Sequence, residues 1–255
     1  MEIGSVIGGR YRIDAERVPG IWIAEDTVSG RPVAVKTPTG VPGPAARLRH
    51  PGIVEVHEVG EHDGTPFLVM EFLDGYTLGD HLLDGWYPAA TVADFGAQLA
   101  EALAFAHRAG TAHGGIEPDR LLLTGDGTVK ILGFGTVHPA PVSDLRALGS
   151  TLHELLGSPP LPGSLGELGE LVLELLDEPP GLSVERTEAV AARLRRLAGA
   201  PVAEEEPAAP PQRTVAERQF WIYGQPGRRP LGWVLCAVIC AGLVAVVGYA
   251  VGVTV

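Results

Sequence analysis

Lysine is nearly missing from this chain: of its 19 basic residues only Lys36 and Lys130 are lysines, against 31 carboxylates and a net charge of −12. A protein that neutralises a phosphate backbone needs a basic face, so this balance argues against a nucleic-acid binder. Thiols are equally scarce. The two cysteines, Cys236 and Cys240, sit together near the C-terminus, so nothing upstream can build a disulfide framework or a cysteine-ligated zinc site. The eight histidines show no metal-ligand spacing, and no metal site is expected. Met1 to Gly9 has neither a basic start nor a long apolar run, so no signal peptide is expected. What is present is a 45% hydrophobic chain of 255 residues with 34 glycines and 22 prolines. That is enough for one domain with a core of its own, plus appendages.

From Leu231 to Val255 no charged residue occurs. As a helix this stretch would span roughly 37 Å, more than the ~30 Å hydrocarbon core, and a single transmembrane helix is expected. Arg213, Arg218, Arg228 and Arg229 precede it, which places the bulk of the chain on the cytoplasmic side of a cell membrane. Gly248 and Gly252 form a GxxxG pair within it, a spacing that permits a dimer. Residues 199–230 carry six prolines and the acidic run Glu204 to Glu206 without apolar periodicity, and read as a cytoplasmic linker.

The remaining 198 residues divide by pattern. Short β-like runs come first: Tyr11 to Arg17, Ile21 to Glu25, Val33 to Lys36, Ile53 to Val59 and Phe67 to Phe72. Helical periodicity dominates residues 76–198. Val92, Phe95, Leu99, Leu103 and Ala106 recur at three and four before Gly110, and Leu145, Leu148, Leu152 and Leu155 before Gly157. Between these helices lie strand-like pieces at Leu121 to Leu123 and Val129 to Leu132, joined by Gly125-Asp126-Gly127. Strands followed by helices predict an α+β, two-lobed fold, with a small lobe at about 10–73 and a large lobe at about 76–198.

Several strings then occur in one order. Val33-Ala34-Val35-Lys36, Leu48-Arg49-His50-Pro51, Met70-Glu71-Phe72-Leu73, His113-Gly114-Gly115, Gly133-Phe134-Gly135 and Ser143-Asp144-Leu145 together resemble a bacterial eukaryotic-type Ser/Thr protein kinase. The resemblance implies that Lys36 stands for the ATP-contacting lysine, and that Ala34, Met70, Glu71, Leu73 and Leu122 line what remains of an adenine slot. It implies structural roles for His113 and Phe134 in the apolar column joining the lobes, and for Asp144 as the buried aspartate that anchors the catalytic loop.

Departures from that pattern are as informative. Gly115 stands where the family has its aspartate base, Arg120 where it has the metal-binding asparagine and Gly133 where it has the metal-binding aspartate. Glu117 replaces a lysine, Val18-Pro19-Gly20 suits a tight type II turn in place of the glycine-rich flap, and Thr37 to Arg47 offers no acid to partner Lys36. The segment between Gly135 and Ser143 is too short to seat a peptide. Loss of the base and of the metal would slow such an enzyme by about five or more decades. The expectation is therefore a pseudokinase: a membrane-anchored scaffold or regulatory module, not an enzyme, without cofactor. The alternatives are a switch that binds ATP weakly without metal and a divergent kinase using a relocated acid such as Asp119. Protein partners are expected, including an active Ser/Thr kinase or a phosphothreonine-binding domain acting at Thr214 in the linker.

Overall fold

The structure is a computed structural model that describes residues 1–37, 47–134, 143–158 and 165–199. A six-stranded antiparallel sheet forms the small lobe, from β1 (Val6–Ile7), β2 (Tyr11–Val18), β3 (Ile21–Asp26), β4 (Arg31–Lys36), β5 (Val56–His62) and β6 (Thr65–Glu71), in the order β1-β2-β3-β4-β6-β5. Alternation places Tyr11 and Ile13 of β2 and Val33 and Val35 of β4 on the inner face, where they bury a core with Ile7, Ala24, Phe67 and Val69. The Phe67 ring fits because two neighbours lack a side chain. A Cβ on Gly60 would stand 2.5 Å from it, and one on Gly8 2.7 Å. Between β2 and β3, Val18 pairs with Ile21, leaving Pro19 and Gly20 as the turn. Gly20 has φ +81°, as the third position of a type II turn requires.

The large lobe holds β7 (Gly75–Thr77), the short helix α1 (Leu78–Leu82), α2 (Ala89–Arg108), β8 (Leu121–Thr124), β9 (Val129–Ile131), α3 (Asp144–Leu155), α4 (Gly166–Leu176) and α5 (Val184–Ala198). Strands β7, β8 and β9 form a second sheet. Helix α2 is lined with alanine and leucine, and Leu99, Ala100, Leu103 and Ala106 are fully buried. It ends where Gly110 takes φ +70°, the left-handed conformation that glycine adopts without penalty. Helices α3 and α5 begin on serine caps, Ser143 accepting from the Arg146 N–H and Ser183 from that of Arg186. A Cβ on Gly149 would stand 2.7 Å from Leu175 Cβ, so glycine lets α3 and α4 approach closely.

One strand differs from its sequence expectation. Ile53 does not open β5, which starts at Val56. Ile53 instead forms a parallel bridge with Ile131, and with Leu48 it is buried in the large-lobe core. The lobe-to-lobe packing thus overrides a β-rich local sequence. The expected transmembrane stretch 231–255 and nearly all of the expected linker lie outside the described residues. Among the described residues no helix is long and apolar enough to cross a membrane.

Candidate functional site

The chain crosses between the lobes through Phe72, Leu73 and Asp74, which join β6 to β7. Ala34 and Met70 face each other as paired residues of β4 and β6, and Lys36 ends β4 beside Leu68. Leu122 is buried in β8, paired with Lys130 on one side and Thr77 on the other. The carboxylate of Glu71 is engaged: its Oε1 accepts from Lys130 Nζ at 2.7 Å and from the Glu55 N–H at 2.9 Å. That half-buried pair ties the end of β6, just before the crossing segment, to β9 of the large lobe.

Asp144, at the start of α3, is sealed from solvent and faces three donors. Its oxygens accept from the His113 N–H at 2.8 Å, the Gly114 N–H at 2.7 Å and His107 Nε2 at 2.9 Å. Burial alone would push this carboxyl up. The His107 ring and the two backbone N–H groups reverse that, and hold it below the ordinary aspartate range. The His113 ring packs edge-on against Phe134, with centroids 4.8 Å apart and planes at 79°. Its Nε2 donates to the Leu132 carbonyl at 3.0 Å, and Nδ1 has no partner among the described residues. Burial keeps His113 low, and therefore neutral.

His107, one of the histidines without ligand spacing in the sequence, has a defined structural place. It bridges Asp144 and the Thr187 hydroxyl, which lies 3.0 Å from Nδ1, and so links α2, α3 and α5. The available signal was position, since His107 lies four residues after Leu103 on the buried face of α2.

Of the three altered positions, Arg120 and Gly133 show why they matter. Arg120 Nε is 2.6 Å from the Glu117 carboxylate, so the two charges that replace family residues pair with each other. Burial first, and then the positive charge of Arg120, hold the Lys36 amine below the ordinary lysine range. Gly133 has φ +93°, a conformation L side chains rarely adopt. Gly115 is half-buried in the loop after His113 and carries no side chain. Asp119 is exposed and stands against α1, its Oδ1 1.9 Å from where a Cβ on Gly79 would be.

The divalent cation implied by the resemblance needs oxygen ligands. At its two ligand positions the chain has a guanidinium and a glycine, and among the described residues no three His, Cys, Asp or Glu side chains are grouped to hold an ion. These residues do not fit the metal. Gly135, the segment 136–142, Thr214, Gly248 and Gly252 lie outside the described residues.

Comparison with known proteins adds the following. Residues 44–161 match the protein kinase domain family. A probable serine/threonine-protein kinase of Streptomyces coelicolor is 35% identical over 159 residues, covering 53% of this chain and 24% of that protein. The serine/threonine-protein kinase PknA of Mycobacterium tuberculosis is 34% identical over 168 residues, 55% of this chain and 39% of its own length. The chain thus spans about a quarter to two fifths of these relatives. The crystal structure of the PknI kinase domain of M. tuberculosis superimposes with a TM-score of 0.61 at 23% identity, over 77% of this chain and 99% of that one. One expectation is overturned here: the sequence was read as that of a non-enzyme, whereas the relatives carry the names of serine/threonine-protein kinases. The motif departures lie in a domain related to these kinases, and do not by themselves show a loss of catalysis. The described residues adopt the protein-kinase fold, and the domain is related to the bacterial serine/threonine kinases.

Proposed function

We propose that this chain is a membrane-tethered signalling domain whose interlobe cleft takes the phosphates of a nucleotide on Lys36 and Arg120, with side-chain cations in the place of a chelated metal. What supports this reading is the position of Lys36 at the end of β4, next to the paired Ala34 and Met70, with its amine lowered first by burial and then by the charge of Arg120. Two like charges held in a partly buried site favour an anion between or beside them. Ala34, Met70, Leu73 and Leu122 supply the apolar side of the same cleft, where an adenine ring would lie. The partner pairing of Arg120 with Glu117 tempers its charge and sets the orientation of the guanidinium.

Phosphorylation of serine or threonine, the reaction in the relatives' names, enters this proposal with a defined signature. Transfer supported by Lys36 and Arg120 persists in EDTA and disappears in Lys36→Met. Regulation within the cytoplasm, including modification of Thr214 by an active Ser/Thr kinase and docking of a phosphothreonine-binding domain, completes the reading; the tail Leu231 to Val255 supplies the anchor.

The test is calorimetric titration of ATP into the full-length chain in detergent, with EDTA present. Wild type is expected to bind in the micromolar to millimolar range. Lys36→Met and Arg120→Gln should each weaken binding by about tenfold or more, the loss expected for a charge-assisted contact worth ~1.5–3 kcal/mol. Binding unchanged in both variants would overturn the phosphate assignment.

A further inference from the structure

Where a longer glycine loop would overhang the cleft, this chain has a two-residue turn, and that shortening brings a particular side chain to bear. Arg17 is the penultimate residue of β2, and it shares the inward-facing set of Tyr11, Ile13 and Ala15. Its guanidinium crosses to the crossing segment. Nη1 donates to the Leu73 carbonyl at 2.9 Å, and Nη2 to the Gly75 carbonyl at 2.5 Å. The guanidinium carbon lies 6.0 Å from the centroid of the Phe72 ring. Two carbonyls of residues 73 and 75 and the ring of Phe72 are thus engaged by one residue, 56 positions before Leu73 in sequence. Gly75 itself is paired with Thr124 in the second sheet, and a side chain there would run into the Leu123 carbonyl.

Geometry of this kind suits arginine and no other residue. Its planar fork offers parallel N–H groups that match two carbonyls two residues apart, and its face accepts an aromatic ring. The hinge is where the chain passes from one lobe to the other, so a clasp between β2 and residues 72–75 restricts how far the small lobe can swing. It also occupies the Leu73 carbonyl, a hinge group that a nucleobase lying against Leu73 would meet.

We infer that Arg17 is a latch: it locks the β2–β3 hairpin to the hinge, and must release before a nucleotide base can enter. The latch rests on the nucleotide reading above for its functional consequence, while its mechanical part stands on the hydrogen bonds alone. Opening costs two charge-assisted hydrogen bonds, and a cleft gated this way exchanges its occupant slowly in both directions.

Two measurements on the full-length chain in detergent separate these parts. Without nucleotide, amide hydrogen exchange in a peptide covering residues 72–77 should be at least fivefold faster in Arg17→Met than in wild type, with exchange in α2 unchanged as the control for global stability. Arg17→Lys keeps the charge but offers no fork, and should fall between. With a fluorescent ATP analogue in EDTA, association and dissociation should both accelerate several-fold in Arg17→Met. Unchanged hinge exchange overturns the latch. Faster hinge exchange with unchanged association overturns the gate. If neither wild type nor Arg17→Met binds nucleotide while hinge exchange rises, the nucleotide reading and the gate fail, and the clasp itself stands.

Discussion

His107 donates Nε2–H to the Asp144 carboxylate at 2.9 Å with both side chains sealed from water. Because Asp144 also receives the N–H groups of His113 and Gly114, one carboxylate connects α2 to the loop that carries those two residues. The Thr187 hydroxyl extends the chain to α5.

Asp144→Asn removes the charge and turns one of the two acceptor oxygens into an NH2 that faces buried donors. Asp144→Asn should cost about 3–5 kcal/mol, the usual penalty for breaking a buried pair by deleting one partner. Urea unfolding of wild type and variant measures it directly.

The same carboxylate sets an acid limit. Its folded pKa lies below the unfolded value, so the stability it contributes is complete above the ordinary aspartate pKa and is lost as pH falls through the lowered one. Wild type should lose stability steeply between about pH 4 and lower values, and Asp144→Asn should lose less over that window. Parallel acid titrations of the two proteins by circular dichroism check the sign.

Lys36 titrates in the opposite sense. Its folded pKa is depressed, so the charged amine is disfavoured in the apo protein, and a bound phosphate favours it. Nucleotide affinity should therefore decline as pH rises through the depressed lysine pKa. Lys36→Arg should abolish that decline, as seen by titrating ATP at a series of alkaline pH values.

Restoring the family aspartate at position 133 should not be cheap. With φ at +93°, Gly133→Asp forces an L side chain into a backbone conformation that costs of order 1–3 kcal/mol. Thermal unfolding should show a lower Tm, and no gain in magnesium affinity should accompany it.

Much of this fold was legible because periodicity and punctuation agree. The leucine and alanine spacing of α2, its stop at Gly110, and the Pro19-Gly20 turn all appear where the sequence places them. Ile53 was not legible, because a β-branched run looks the same whether it continues a strand or bridges to Ile131 in the other lobe. Side chains assigned from the resemblance, such as Ala34, Met70 and Asp144, could be placed in order but not in space. The contacts that organise the site, Arg17 to Leu73, Lys130 to Glu71 and His107 to Asp144, join residues 56, 59 and 37 positions apart. No local pattern encodes separations of that kind.

Anchoring is testable by fractionation. The full chain should sediment with membranes and resist extraction by salt or alkali, and a chain ending at Pro230 should appear in the soluble fraction. A full chain that remains soluble would contradict the membrane assignment of Leu231 to Val255.

The central claim is that cationic side chains stand in for a metal, and the most direct measurement compares ATP-induced thermal stabilisation of the full-length chain in EDTA with that in excess magnesium. At about 100 times Kd, a bound ligand stabilises the native state by ~2.7 kcal/mol, well within the resolution of the assay. The account predicts a shift in EDTA that magnesium does not increase and that Lys36→Met removes. A shift that appears only with magnesium, or none at millimolar ATP in either condition, would contradict it.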